Sequence, residues 1–187
     1  MRQKFDSYDD YRQAIDGVIN RCELAREQEK LRSELLSELL KIIAWADKNN
    51  IPQDRLPRDT EELCNLDALY LNDLKLTHLP DSIGKLSQLT WLNVGENQLT
   101  HLPDSIGKLS QLTTLGVGGN QLTHLPDSIG NLTNLRELKI RGNPLVVRYN
   151  LDGETVYTND IINKIKAFES KREEDAKLVN RIKRFFS

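Results

Sequence analysis

Residues 76–90 read LTHLPDSIGKLSQLT, residues 99–113 read the same fifteen residues again, and residues 122–143 open as LTHLPDSIG and continue NLTNLRELKIRGN. The offset is 23 residues each time. Self-similarity at such a fixed period marks a chain built from stacked supersecondary units. Aligned on that offset, the copies share the pattern L-x-x-L-x-L-x-x-N-x-L. It runs through Leu89, Leu92, Val94, Asn97 and Leu99, then Leu112, Leu115, Val117, Asn120 and Leu122, then Leu135, Leu138, Ile140, Asn143 and Leu145. A degenerate earlier copy uses Leu66, Leu69, Leu71 and Leu76, preceded by Leu56-Pro57, and carries Leu74 where the others carry asparagine. The expected array is therefore four repeats over residues 56–145. A terminal repeat meets a cap on one side and so departs from the pattern.

Each part of the pattern has a physical task. In x-L-x-L-x the two apolar residues alternate inward from a short strand. The asparagine follows the strand, where its side chain can bond backbone groups of the turn and, in stacked copies, form a ladder. Pro80, Pro103 and Pro126 fix φ in the segment beyond. Asp-Ser-Ile-Gly then predicts a capped, abbreviated helical turn on the outer face, and Leu86, Leu109 and Leu132 return the chain to the core. No coil buries its leucines alone, so stacking makes the core.

The stretch LPDSIGKLSQLTWLNVGENQLT, residues 79–100, resembles the leucine-rich repeat family. Its LPxxIGxLxxL segment is similar to the 23-residue subclass found in bacterial repeat proteins, plant Ras-group repeat proteins and Ras-scaffold proteins. The resemblance covers about half of the chain. It implies an α/β repeat solenoid and a scaffold for protein recognition, with the partner left open because one fold hosts many partners.

The flanks differ in character. Ser7 and Asp10 read as a helix start, and Tyr8, Tyr11, Ile15, Val18, Ile19 and Cys22 recur at helical spacing. A second apolar run, Leu35, Leu36, Leu39, Leu40, Ile42, Ile43 and Ala46, follows the charged stretch 26–32 and stops near Ile51-Pro52. A single helix of this length would reach about 60 Å and cap poorly, so the expectation is a helical hairpin over residues 1–55. Beyond the repeats, residues 146–187 are expected to form a second cap. Val146–Tyr149 and Glu154–Tyr157 flank Asp152-Gly153, a β-hairpin signal, and a helix follows from Asn159.

Composition narrows the function. The 187 residues carry 26 Lys plus Arg against 28 Asp plus Glu, a formal net charge of −2, which argues against a nucleic-acid partner. No apolar run approaches the ~18 residues of a membrane helix and no secretory leader is visible, so a cytoplasmic protein without a membrane partner is expected. Cys22 and Cys64 read as two reduced, buried thiols. His78, His101 and His124 share one repeat position, about 5 Å apart when stacked. Duplication explains that row better than a metal site does. No Walker lysine and no nucleophile with a nearby base appear, and neither flank has the length of the cysteine ligase domains that some bacterial repeat effectors carry. Neither an enzyme nor a cofactor is expected.

Strand alternation places three residues per coil on the concave face: Ala68, Tyr70 and Asn72; Trp91, Asn93 and Gly95; Thr114, Gly116 and Gly118; Glu137, Lys139 and Arg141. One end is aromatic, the middle nearly bare and the other end charged. The expected partner-binding residues are Tyr70, Asn72, Trp91, Asn93, Glu137, Lys139 and Arg141, with the glycines open to a partner's backbone. The leading expectation is a bacterial or phage adaptor or inhibitor that binds another protein there. Four strands give a face only about 15–20 Å long, small for a standard interface. The alternatives are therefore a homo-oligomer assembled by the terminal helices, or a secreted bacterial effector acting by protein binding.

Overall fold

The computed structural model of this chain describes residues 8–148 and 156–157. It divides into two compact units, Met1–Glu38 and Leu39–Ser187.

The repeats lie in the second unit. Strands β1 (Ala68–Tyr70), β2 (Trp91–Asn93), β3 (Thr114–Gly116) and β4 (Glu137–Lys139) pair in parallel and in sequence order. Leu69, Leu92, Leu115 and Leu138 lie directly opposite one another, so the strand register is the 23-residue offset of the sequence. All four are 0% exposed, and the next inward residues, Leu71, Val94, Val117 and Ile140, are buried with them. Ile83, Ile106 and Ile129 close the core from the outer side.

The outer turns are 3-10 helices, at Asp81–Lys85, Asp104–Lys108 and Asp127–Asn131. The expectation of side-chain capping fails here. Each turn starts from a proline whose side chain offers no acceptor, and the first amide bond is made inside the turn, Ile83 N–H to Pro80 O at 3.0 Å. A second fixed corner precedes the asparagine. Asp73, Glu96, Gly119 and Gly142, again 23 residues apart, all have positive φ, a conformation glycine adopts without strain.

The asparagines form the anticipated ladder, and its direction explains Leu74. The Asn97 carboxamide oxygen accepts from the Leu74 and Leu76 amides of the preceding coil, and its nitrogen donates to Leu71 O as well as to Val94 O in its own coil. Asn120 repeats this toward Leu99 and Val94, and Asn143 toward Leu122 and Val117. Each asparagine thus reaches one coil back. The first coil has no repeat before it, so its position holds leucine.

Helix α1 spans Tyr8–Lys48 without a break, which corrects the expected hairpin. The charged stretch holds only Arg, Glu, Gln, Lys and Leu, all strong helix formers, and offers the chain no turn residue. Leu39, Ile42, Trp45 and Ala46, at its end, are 0–7% exposed and contribute to the core of the second unit. Arg58 ties this end down: it donates to Asp47 Oδ1 at 2.7 Å, to Ile51 O at 2.7 Å and to Leu56 O. A short helix α2 (Thr60–Cys64) follows, its Asp59 cap accepting from the Glu61 and Glu62 amides. In the first unit the residues of α1 are exposed or half-buried wherever their side chains are described. Cys22 is exposed and Cys64 half-buried, so the expected burial of both thiols does not hold, although both are free.

At the other end the expected β-hairpin is not formed. Pro144–Arg148 is a short helix, α3, because proline suits a first helical turn and Leu145 continues the repeat pattern into the core. Val156–Tyr157 is strand β5, but it pairs antiparallel with β4, Tyr157 opposite Glu137. The helix expected from Asn159 and the start at Ser7 lie outside the described residues.

Candidate functional site

The strand pairings set the concave residues in rows. Ala68, Trp91, Thr114 and Glu137 form one row, and Tyr70, Asn93, Gly116 and Lys139 the next. Asn72 and Arg141 continue a third row past the strand ends, where Asp73 N–H to Gly95 O and Gly119 N–H to Arg141 O extend the backbone pairing.

Four of the expected site residues converge. The Tyr70 and Trp91 rings lie 6.4 Å apart between centroids, tilted at 36°. Lys139 Nζ stands 5.2 Å from the Trp91 ring centroid and 3.5 Å from Glu137 Oε1. Lys139 starts two strands away from Trp91, and the residue beside it on β3 is Gly116, so no intervening side chain in its row blocks the reach. Aromatic and charged ends of the face, separate in the sequence, therefore meet across its middle.

That middle is not bare. A Cβ at Gly116 would stand 2.9 Å from Asn93 Oδ1, so the glycine seats the Asn93 carboxamide and does not hold space open for a partner. The same oxygen accepts from the Gly95 amide at 3.0 Å. Asn72 is drawn instead to Arg55, whose guanidinium donates to its Oδ1 at 3.5 Å and to Tyr70 O at 3.4 Å. Arg141 is exposed, in the third row.

Sequence reasoning missed Arg55 and Arg58. A signal was present: on the 23-residue offset they occupy the positions of His78 and Asp81, so the first copy exchanges two repeat residues for arginines. Both arginines bond the backbone at the start of the array.

The histidines are exposed, and each Nδ1 is bonded to the threonine before it, at 3.1–3.2 Å. Among the described residues no group of three or more His, Cys, Asp or Glu could hold a metal ion. No helix among them is long and apolar enough to cross a membrane.

A family model of the leucine-rich repeat region matches residues 35–147. The chain belongs to the leucine-rich repeat family. No curated protein matches it. Among solved structures it is similar to a leucine-rich repeat protein of Leptospira interrogans, with 44% identity over 42% of this chain and 20% of that one, at a TM-score of 0.42. It is also similar to an internalin (inlF) of Listeria monocytogenes, with 34% identity over 43% of this chain and 23% of that one, at 0.39. A third match is an internalin C2 of the same species, with 30% identity over 44% and 35%, at 0.40. The match thus spans well under half of each of these longer chains. Leucine-rich repeats are in general protein-interaction modules, typically without enzymatic activity.

Proposed function

We propose that this leucine-rich repeat chain is an adaptor or inhibitor that docks a partner protein on its concave face, anchored by Tyr70 and Trp91. The observation that carries this reading is the aromatic pair itself. Tyr70 is 46% exposed and its ring is braced by Trp91, so a large apolar surface is held rigid in the first two coils. Such preorganised aromatics supply contact area at little entropic cost, and Tyr and Trp are enriched in interface hot spots. The test is affinity capture from the source organism with the wild type and a Tyr70→Ala/Trp91→Ala variant, after circular dichroism shows both folded. Loss of one partner from the variant profile is expected, and an unchanged profile sinks the reading.

A second reading, self-assembly through α1, has its own support. Among the described residues Ile15, Val18, Ile19, Leu24, Leu31, Leu36 and Leu40 are 40–58% exposed along that single helix. Exposed apolar surface on this scale marks an interaction site. Light scattering on the wild type and an Ile19→Glu/Leu36→Glu variant decides it. A monomer in both forms refutes self-assembly.

A further inference from the structure

We infer that Trp91 and Glu137 form a recognition site for a basic side chain of the partner, and that Lys139 occupies this site in the free chain. The inference rests on the concave-face reading above and names the partner chemistry that the face selects.

The elements of a cation site are all present. An indole is the best of the aromatic faces for a cation, and contact within about 6 Å of the centroid is the working range. Lys139 Nζ meets that condition at 5.2 Å, with the Glu137 carboxylate at 3.5 Å supplying the negative charge. Tyr70 extends the aromatic wall on the side away from Glu137, where the aliphatic stem of an incoming lysine or arginine would lie. Trp91 Nε1 is buried, so an incoming side chain meets the indole by its ring and not by its N–H.

Lys139 is suited to be the displaceable occupant. Its side chain remains 43% exposed, so moving its ammonium fully into water breaks only surface contacts. A partner carboxylate, by contrast, would approach against Glu137. The internal lysine lowers the apparent affinity for an outside cation by the fraction of time the site stands open. It also rejects partners whose basic group cannot compete.

The experiment uses the full chain and follows the Trp91 indole N–H resonance, assigned with Trp91→Phe, while titrating acetyl-Gly-Lys-Gly-amide. The norleucine analogue, acetyl-Gly-Nle-Gly-amide, controls for stem contact alone. Lys139→Ala is expected to bind the lysine peptide about fivefold more tightly than the wild type. Adding Glu137→Gln is expected to abolish the gain, and the norleucine peptide to leave the resonance unmoved. Unchanged affinity in Lys139→Ala overturns the inference, as does equal binding of the norleucine peptide. So does binding of acetyl-Gly-Glu-Gly-amide that disappears with Lys139. A silent lysine peptide together with lost partner capture by Tyr70→Ala/Trp91→Ala refutes this inference and spares the docking surface. A responding peptide with unchanged capture does the reverse.

Discussion

The coils and the first thirty described residues of α1 each carry apolar residues at a regular spacing and treat them in opposite ways. Leu92, Leu115 and Leu138 are 0% exposed, whereas Leu24 and Leu31 are 57% and 58% exposed. The difference is supply of neighbours. Each coil is covered by the next at the spacing of adjacent strands, and its leftover polar groups are met by an asparagine from the following coil. The helix meets its own backbone hydrogen bonds and can persist with its apolar residues uncovered. Periodicity tells which side chains want burial, and the repeat tells which of them obtain it.

Paired substitutions test that contrast. Leu115→Ala is expected to destabilise the chain by about 3–5 kcal/mol, because a stacked coil cannot collapse onto the void. Leu31→Ala is expected to change stability by less than about 0.5 kcal/mol. Urea unfolding of both, compared by midpoint, breaks the comparison if the two costs are alike. Asn120→Ala comes next. It removes bonds to Val94 O, Val117 O and the Leu99 amide inside the core, and a loss of about 3 kcal/mol is expected by the same measurement.

Glycine separates the two regions more finely. A Cβ at Gly107 would stand 2.3 Å from Ser128 O in the next coil, so Gly107→Ala is expected to cost on the order of 2 kcal/mol. At Gly17 the added Cβ meets only Arg21 Nη1, at 3.6 Å, and Gly17→Ala is expected to add up to about 1 kcal/mol, read as increased helicity and a higher Tm. The smallest effect concerns Ser105, whose Oγ is buried without a hydrogen-bond partner among the described residues. Ser105→Ala is expected to stabilise the array by about 0.5 kcal/mol. A loss in its place would show that the hydroxyl is bonded.

How far the site was legible depends on distance along the chain. The concave rows follow from period-two alternation and a fixed 23-residue offset, so the positions of Tyr70, Trp91, Glu137 and Lys139 on one face were legible. Their convergence was not, because Lys139 reaches Trp91 across an intervening strand, and side-chain reach is set by what the middle strand omits. Gly116 read in the sequence as an opening for a partner's backbone. The Asn93 carboxamide already fills that space, a position no sequence pattern encodes. Arg55 and Arg58 escaped notice because each bonds backbone carbonyls, and no residue pattern records a carbonyl.

The sequence by itself determined the family, the coil length, the register and the inward residues, since each is a local choice repeated at a constant period. It also contained the reason for Leu74, once the direction of the asparagine bonds was known. Tertiary structure decided where repetition stops. It left α1 a single helix, because helix formers without a turn residue give the backbone no cause to reverse. It turned Pro144–Arg148 into a helix and sent β5 to the open edge of β4, because unpaired strand groups at an array's end gain most from a new partner. And it placed a lysine on a tryptophan two strands away, a contact between side chains that no local pattern encodes.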